Sequence, residues 1–170
     1  MDAELILVRA AVPADLKDVA AIYAHYVTTS VTTFEEVPPT PADWRLRLDD
    51  LAGRKLPFLV AEAADRSVAG YAYASPWRPK PAYRHTVEDT VYVSPAHTGR
   101  GLGRALLGAL LAACADIGAR QVIAVIADSG SDASLALHRR LGFEQAGRLS
   151  NVGRKQGRWV DTVLMQRELG

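Results

Sequence analysis

The chain has 170 residues, 49% of them hydrophobic and 23% charged, with a net charge of +1. That balance excludes a disordered segment and gives no bulk attraction for nucleic acid or an anionic membrane. The length suits one domain, residues 1–170, and the single cysteine, Cys114, excludes an internal disulfide and a thiolate metal cluster.

The first residues, Met1-Asp2-Ala3-Glu4, are acidic and lack the basic start of a signal peptide. No apolar run reaches the ~20 residues of a membrane span. Both features predict a cytoplasmic protein without membrane partners. Leu5–Ala10 reads as a first strand. Pro13 and Asp15 then open a helix in which Leu16, Val19, Ala20, Ile22, Tyr23 and Tyr26 recur at helical spacing. The β-branched run Val27–Thr33 is poor for helix and predicts a loop that carries Phe34 and Glu35. Pro41 suits the first position of a second helix through Trp44, Leu48 and Leu51.

Phe58–Ala63 and Val68–Ala74, joined at Asp65-Arg66, predict a hairpin. Pro76, Pro79 and Pro81 keep the stretch from Trp77 to Arg84 out of a central strand. Thr86–Val93 is the strongest strand pattern in the chain. A glycine turn follows, then a helix over roughly 104–117 with Gly118 at its end. Gln121–Ile126 is continuously apolar, which predicts a strand buried on both faces. A helix from Ser131-Asp132 to Leu141-Gly142 and two strands, from Phe143 and over Val160–Met165, complete an α/β chain with a mixed sheet.

The turn Thr98-Gly99-Arg100-Gly101-Leu102-Gly103-Arg104 lies between a strand and a helix start. Such a junction aims unpaired N–H groups at an anion, and glycines let the backbone come close. Arg104 and Leu106 stand where a dinucleotide fingerprint needs its last glycine, and no Gly-Lys-Ser/Thr ending of an ATP loop is present. A tight-packing turn is the plain alternative. The histidines, His25, His85, His97 and His138, lack zinc-site spacing, so no metal is expected.

Val91-Tyr92-Val93-Ser94-Pro95 followed by Thr98–Leu107 resembles the acetyl-CoA motif of the GNAT acetyltransferases. Thr98 replaces the usual Arg or Gln. Ser131 to Phe143 resembles the second signature of that superfamily, with Ser131 for its usual Asn and His138 for its usual Tyr. His25-Tyr26, Tyr71–Ala74, Pro76-Trp77, Ala82-Tyr83, Thr86–Glu88 and Gly157–Asp161 together are similar to the phosphinothricin and methionine sulfoximine N-acetyltransferases.

The resemblance implies a GNAT fold, a mixed sheet of about six to seven strands flanked by about four helices. It implies a homodimer that takes acetyl-CoA and acetylates the α-amino group of a small amino-acid-like substrate. Val91, Tyr92 and Val93, the turn from Thr98 through Gly99, Arg100, Gly101, Leu102 and Gly103 to Arg104, and Ser131 and Ser134 are then expected at the co-substrate. Phe34, Trp77, Arg78, Tyr83, Arg84, Thr86 and Val87 are expected at the substrate, with the arginines as partners for its acid group.

Strand alternation puts Glu88 on one face with Thr86, Thr90 and Tyr92, and Asp89 on the other. A carboxylate there is either a structural ion-pair member or a general base, and the resemblance favours the base. His138 is read either as the group that stabilises or protonates the leaving thiolate, or as a packing residue. Two other functions stay open: a GNAT enzyme for another amine, and a sensor that binds acyl-CoA without catalysis.

Overall fold

A computed structural model describes residues 6–170. Leu5, the first residue of the expected opening strand, lies outside them. Strand β1 (Leu7–Ala10) pairs antiparallel with β2 (Phe58–Glu62), β2 with β3 (Val68–Pro76), and β3 with β4 (Thr86–Val93). A helical crossover then leads to β5 (Gln121–Ala127), which runs parallel to β4. The long hairpin β6 (Glu144–Lys155) and β7 (Arg158–Glu168) completes the sheet, with β7 beside β5, in the order β1-β2-β3-β4-β5-β7-β6.

Helices α1 (Leu16–Thr29) and α2 (Pro41–Gly53) cover one face, and α3 (Leu102–Asp116) covers the other. The short α4 (Ala133–Arg140) packs beside β5. Helix α2 starts where its sequence predicts. Pro41 occupies the first turn, and Thr40 and Asp43 cap it reciprocally, each side chain accepting the other's backbone N–H.

Period-two alternation sorts β3 between two cores. Tyr71 and Tyr73 join Trp44, Tyr23 and Phe58 under α1 and α2. Ala72 and Ala74 face α3 and its Leu106, Leu107 and Leu110. The small residues on that face let α3 sit close. A Cβ on Gly70 would lie 3.0 Å from Leu106 Cδ1 and 3.0 Å from the Tyr92 carbonyl oxygen. Each buried leucine contributes roughly 1.5–3 kcal/mol.

Two sequence expectations change. Helix α1 continues through Val27, Thr28 and Thr29 instead of ending before them. Val27 is buried in the core, and the Thr28 and Thr29 hydroxyls donate to the carbonyls of Ala24 and His25 one turn back, so packing overrides weak propensity. Strand β5 is buried on one face only. Val122, Ala124 and Ile126 are buried, whereas Val125 is 43% exposed, because its outer face borders a cleft.

Candidate active site

Strands β4 and β5 pair only over Thr86–Gln121, Val87–Val122 and Glu88–Ile123. Beyond Glu88 they part. β4 stays with β3 as far as Val93, and β5 stays with β7 as far as Ala127. Along the parted stretch, backbone groups of β4 that point away from β3 have no strand partner and face the opening. A cleft of about 670 Å3 fills this fork. Its walls are residues 88–93 of β4, residues 124–127 of β5, the glycine turn, the start of α4, and the loop 32–35.

Glu88 sits at the closed end of the fork, the last paired position. Its face is the one that carries Tyr92, and Asp89 points to the α3 side, as strand alternation requires. Burial raises the Glu88 carboxyl above the usual range. The neighbouring Asp89 adds to the rise, and Arg78 acts against it.

At the other end of β4, Pro95–His97 forms a single helical turn before the glycines. Gly99 and Gly101 take φ of 76° and 77°, a left-handed conformation that favours glycine. Gly101 is the N-cap of α3, and no side chain caps that end. The first amides of α3 therefore converge, unpaired within the helix, beside the cleft. Gly103 is small for another reason: a Cβ there would lie 3.2 Å from Leu137 Cδ2 of α4.

Of the residues expected at the co-substrate, Val91, Tyr92, Val93, Thr98, Gly99, Gly101, Leu102, Gly103, Ser131 and Ser134 all line the cleft. Arg100 and Arg104 are exposed and are not part of its wall. The Val93 carbonyl already accepts from the Tyr26 hydroxyl at 2.5 Å.

His138 is buried at the wall of the cleft. Its Nδ1 lies 2.7 Å from the Ser134 carbonyl oxygen and its Nε2 2.6 Å from Asp89 Oδ2, and its ring meets the Phe143 ring edge-on at 4.8 Å. A carbonyl only accepts, so Nδ1 carries a proton. Burial alone lowers the imidazole pKa, but the bond to Asp89 and its charge outweigh that, and the net shift is upward.

The expected substrate residues separate. Phe34 lines the cleft. Trp77, Arg78, Tyr83, Arg84, Thr86 and Val87 lie outside its wall. Val87 is buried against the α3 core, because alternation turns it away from Glu88's face. Arg78 lies 4.9 Å above the Trp77 ring, and Arg84 donates to the Pro81 carbonyl. Among the described residues the arginine on the cleft wall is instead Arg47 of α2, whose guanidinium donates to the Tyr73 hydroxyl at 2.9 Å and lies 5.0 Å over Trp44. Sequence reading passes over Arg47 because α2 carries four arginine or lysine positions within or beside it that look alike as helix-surface charges, Arg45, Arg47, Arg54 and Lys55. Glu35 and Tyr26 also line the cleft.

A parallel strand pair that splays around a cleft, with an uncapped glycine-turned helix start at its mouth, suits a ligand that carries phosphate. Residues 20–143 match the acetyltransferase (GNAT) family. The chain belongs to that family. It is 52% identical over 155 residues to phosphinothricin N-acetyltransferase of Alcaligenes faecalis, covering 91% of this chain and 78% of that one. It is 41% identical over 162 residues to the L-methionine sulfoximine/L-methionine sulfone acetyltransferase of Pseudomonas aeruginosa, covering 95% and 94%. A crystal structure of a phosphinothricin acetyltransferase from Sinorhizobium meliloti in complex with acetyl-CoA superposes with a TM-score of 0.93 at 46% identity, covering 97% of this chain and 89% of that one.

Proposed function

We propose that this chain transfers an acetyl group from acetyl-CoA to the α-amino group of a small amino-acid-like compound of the phosphinothricin, methionine sulfoximine or methionine sulfone type. The observation that carries the reading is the position of Glu88: a carboxylate with a raised pKa at the closed end of the strand fork, lining the same cleft as the uncapped start of α3. The chain's relatives share both the fold and these substrates in name.

The cleft fits acetyl-CoA on three counts. The uncapped start of α3 offers amides and a partial positive charge for the pyrophosphate. The free edge of β4 over residues 91–93 offers backbone groups for an amide-bearing arm. The cleft continues from there to Glu88. Acetyl-CoA supplies the acetyl group as an activated thioester.

The protein's own part begins at Glu88. The α-amino group of an amino acid is mostly protonated near neutrality, and Glu88 takes the proton that frees its lone pair. The raised pKa brings the carboxyl closer to the pH at which it works. Backbone N–H groups of β4 stabilise the charge that develops on the acetyl oxygen. His138, held by Asp89 at the cleft wall, is the residue assigned to the departing thiolate. Arg47 and Glu35, on one wall of the cleft, complement the carboxylate and ammonium of a zwitterion. That mixed lining supports an amino-acid-like substrate over a polyamine, which would call for an acidic wall.

We further infer a cytoplasmic homodimer. Leu149 and Val152 of β6 and Trp159 of β7 expose 47%, 54% and 62% of their surfaces on one hairpin, and a second copy would cover them. Among the described residues no helix is long and apolar enough to cross a membrane.

The test is a thiol-release assay with acetyl-CoA against a panel of amino acids, phosphinothricin, methionine sulfoximine, methionine sulfone, polyamines and peptides. Turnover on the amino-acid analogues is expected. Turnover confined to peptides or polyamines overturns the substrate class.

A further inference from the structure

The loop that carries Phe34 has no helix or strand over residues 30–40, yet it is fastened on two sides. The Thr33 hydroxyl and the Tyr23 hydroxyl are 2.6 Å apart in a buried contact with α1. On the other side Lys155, at the end of β6, donates from Nζ to the Thr33 carbonyl oxygen at 2.8 Å across 122 residues of sequence. Lys155 is 5% exposed and Thr33 is 8% exposed, so the bond is shielded from water. A lysine ammonium is rarely buried unless a partner holds it, and here it holds a loop carbonyl.

Gly153, two residues earlier on β6 and on the same face, completes the seat. A Cβ at Gly153 would lie 2.4 Å from Phe34 Cε2, 2.5 Å from Cζ and 2.9 Å from Cδ2. The Phe34 ring therefore rests on bare backbone. Gly153 is not among the glycines with positive φ, so its backbone conformation does not call for glycine; the ring does. The strand is irregular just before it, with a register shift between Leu149 and Gly153. Phe34, Thr32, Thr33 and Glu35 in turn form the cleft wall at the substrate end.

We propose that Gly153 and Lys155 are positioning residues for the reaction: they fix where Phe34 and Thr33 stand, and so set the shape of the site that receives the amine substrate. This rests on the substrate end being the one lined by Phe34. The two residues touch neither reactant. They act through the loop.

The tests are Gly153→Ala, Lys155→Met, Phe34→Ala and the double variant Phe34→Ala/Gly153→Ala, read by steady-state kinetics and by hydrogen exchange over residues 31–36. Gly153→Ala and Lys155→Met are expected to raise KM for the amine by about tenfold, the size of a misfitted methylene, to leave KM for acetyl-CoA unchanged, and to speed exchange across the loop. In the Phe34→Ala background the glycine substitution is expected to add almost nothing, because the clash is gone. If Gly153→Ala alone does not fold, the double variant is expected to fold; its failure to do so overturns the proposal. So does an unchanged amine KM with unchanged exchange in both single variants, or an effect of Gly153→Ala that is undiminished without Phe34. Should the wild type acetylate no amino-acid analogue, the substrate reading fails, and exchange over 31–36 alone decides the loop.

Discussion

Asp89 Oδ2 lies 2.6 Å from His138 Nε2, and the two side chains, 3% and 6% exposed, form a buried pair across 49 residues of sequence. Nδ1 donates to the Ser134 carbonyl, and the pair holds one proton between Nε2 and Oδ2. It fastens the end of α4 to β4 one residue from Glu88. His138 carries a raised pKa, so the stability it contributes is full below the ordinary histidine value of about 6.5 and is lost as pH rises through the raised one. Asp89→Asn is expected to cost about 1.5–3 kcal/mol at pH 6, as for a hydrogen bond to a charged group, and less at pH 9. Denaturation as a function of pH, with an NMR titration of the imidazole, checks both; a His138 pKa that stays raised in Asp89→Asn refutes the pairing.

Glu88 places function against stability. Its carboxyl pKa is raised, so the folded state binds the proton more tightly than the unfolded chain, and stability falls as pH rises from the ordinary carboxyl range through the raised value. Above the raised value the ionised, partly desolvated carboxylate is a net cost. Glu88→Gln removes that cost. The variant is expected to lose about 10²–10⁴-fold in turnover, to bind acetyl-CoA as before, and to melt higher than the wild type at alkaline pH. Wild-type turnover across pH in Glu88→Gln would remove Glu88 from the base role.

The two ends of the glycine turn separate by the cause of their size. Gly101 has φ of 77° with open space around a hypothetical Cβ, so Gly101→Ala meets backbone strain and no clash. Left-handed strain of roughly 1–2 kcal/mol is expected, and as the turn relaxes the amides of α3 lose their aim. KM for acetyl-CoA should rise, with KM for the amine unchanged. Gly103→Ala keeps an allowed backbone but crowds Leu137 on α4, next to His138. Its effect should therefore fall on kcat and on thermal stability more than on acetyl-CoA binding. Steady-state kinetics with each substrate varied in turn distinguishes the two.

What the sequence makes legible is local. Thr86–Val93 announces its strand by β-branching, Pro41 announces the start of α2, and the glycines from Gly99 to Gly103 mark the helix start, because each signal lies within a few neighbouring residues. The alternation that separates Glu88 from Asp89 is also local, and it holds. Relationships between distant segments are not legible in this way. Nothing near Asp89 shows that His138 is its partner, and nothing near Phe34 names Gly153. The reading of β5 as buried on both faces misses for the same reason: the core under α1 and α2 does not extend over the face of β5 that carries Val125, which no property of Gln121–Ile126 encodes. Among the arginines, charge is visible in sequence and direction is not. The proline-rich loop looks like the substrate's anchor, but Arg84 turns to its own Pro81 carbonyl while Arg47 faces the cleft.

Arg47 accordingly yields the last prediction. Its guanidinium is held between the Tyr73 hydroxyl and the Trp44 ring, so part of its donor fork is committed and the rest is aimed by that support. A carboxylate or phosphinate meeting it in the cleft would form a charge-assisted bond worth about 1.5–3 kcal/mol. Arg47→Leu keeps the apolar stem and removes the charge. KM for the amine substrate is expected to rise by about tenfold or more, which 1.4 kcal/mol already gives. KM for acetyl-CoA should be unaltered. A substrate analogue in which the acid group is amidated should lose the discrimination, reacting equally poorly with wild type and variant. Arg84→Leu serves as the comparison, because that arginine lies outside the cleft. If Arg84→Leu raises KM and Arg47→Leu does not, the acid group docks on the proline-rich loop, and the cleft wall of α2 has only a structural part.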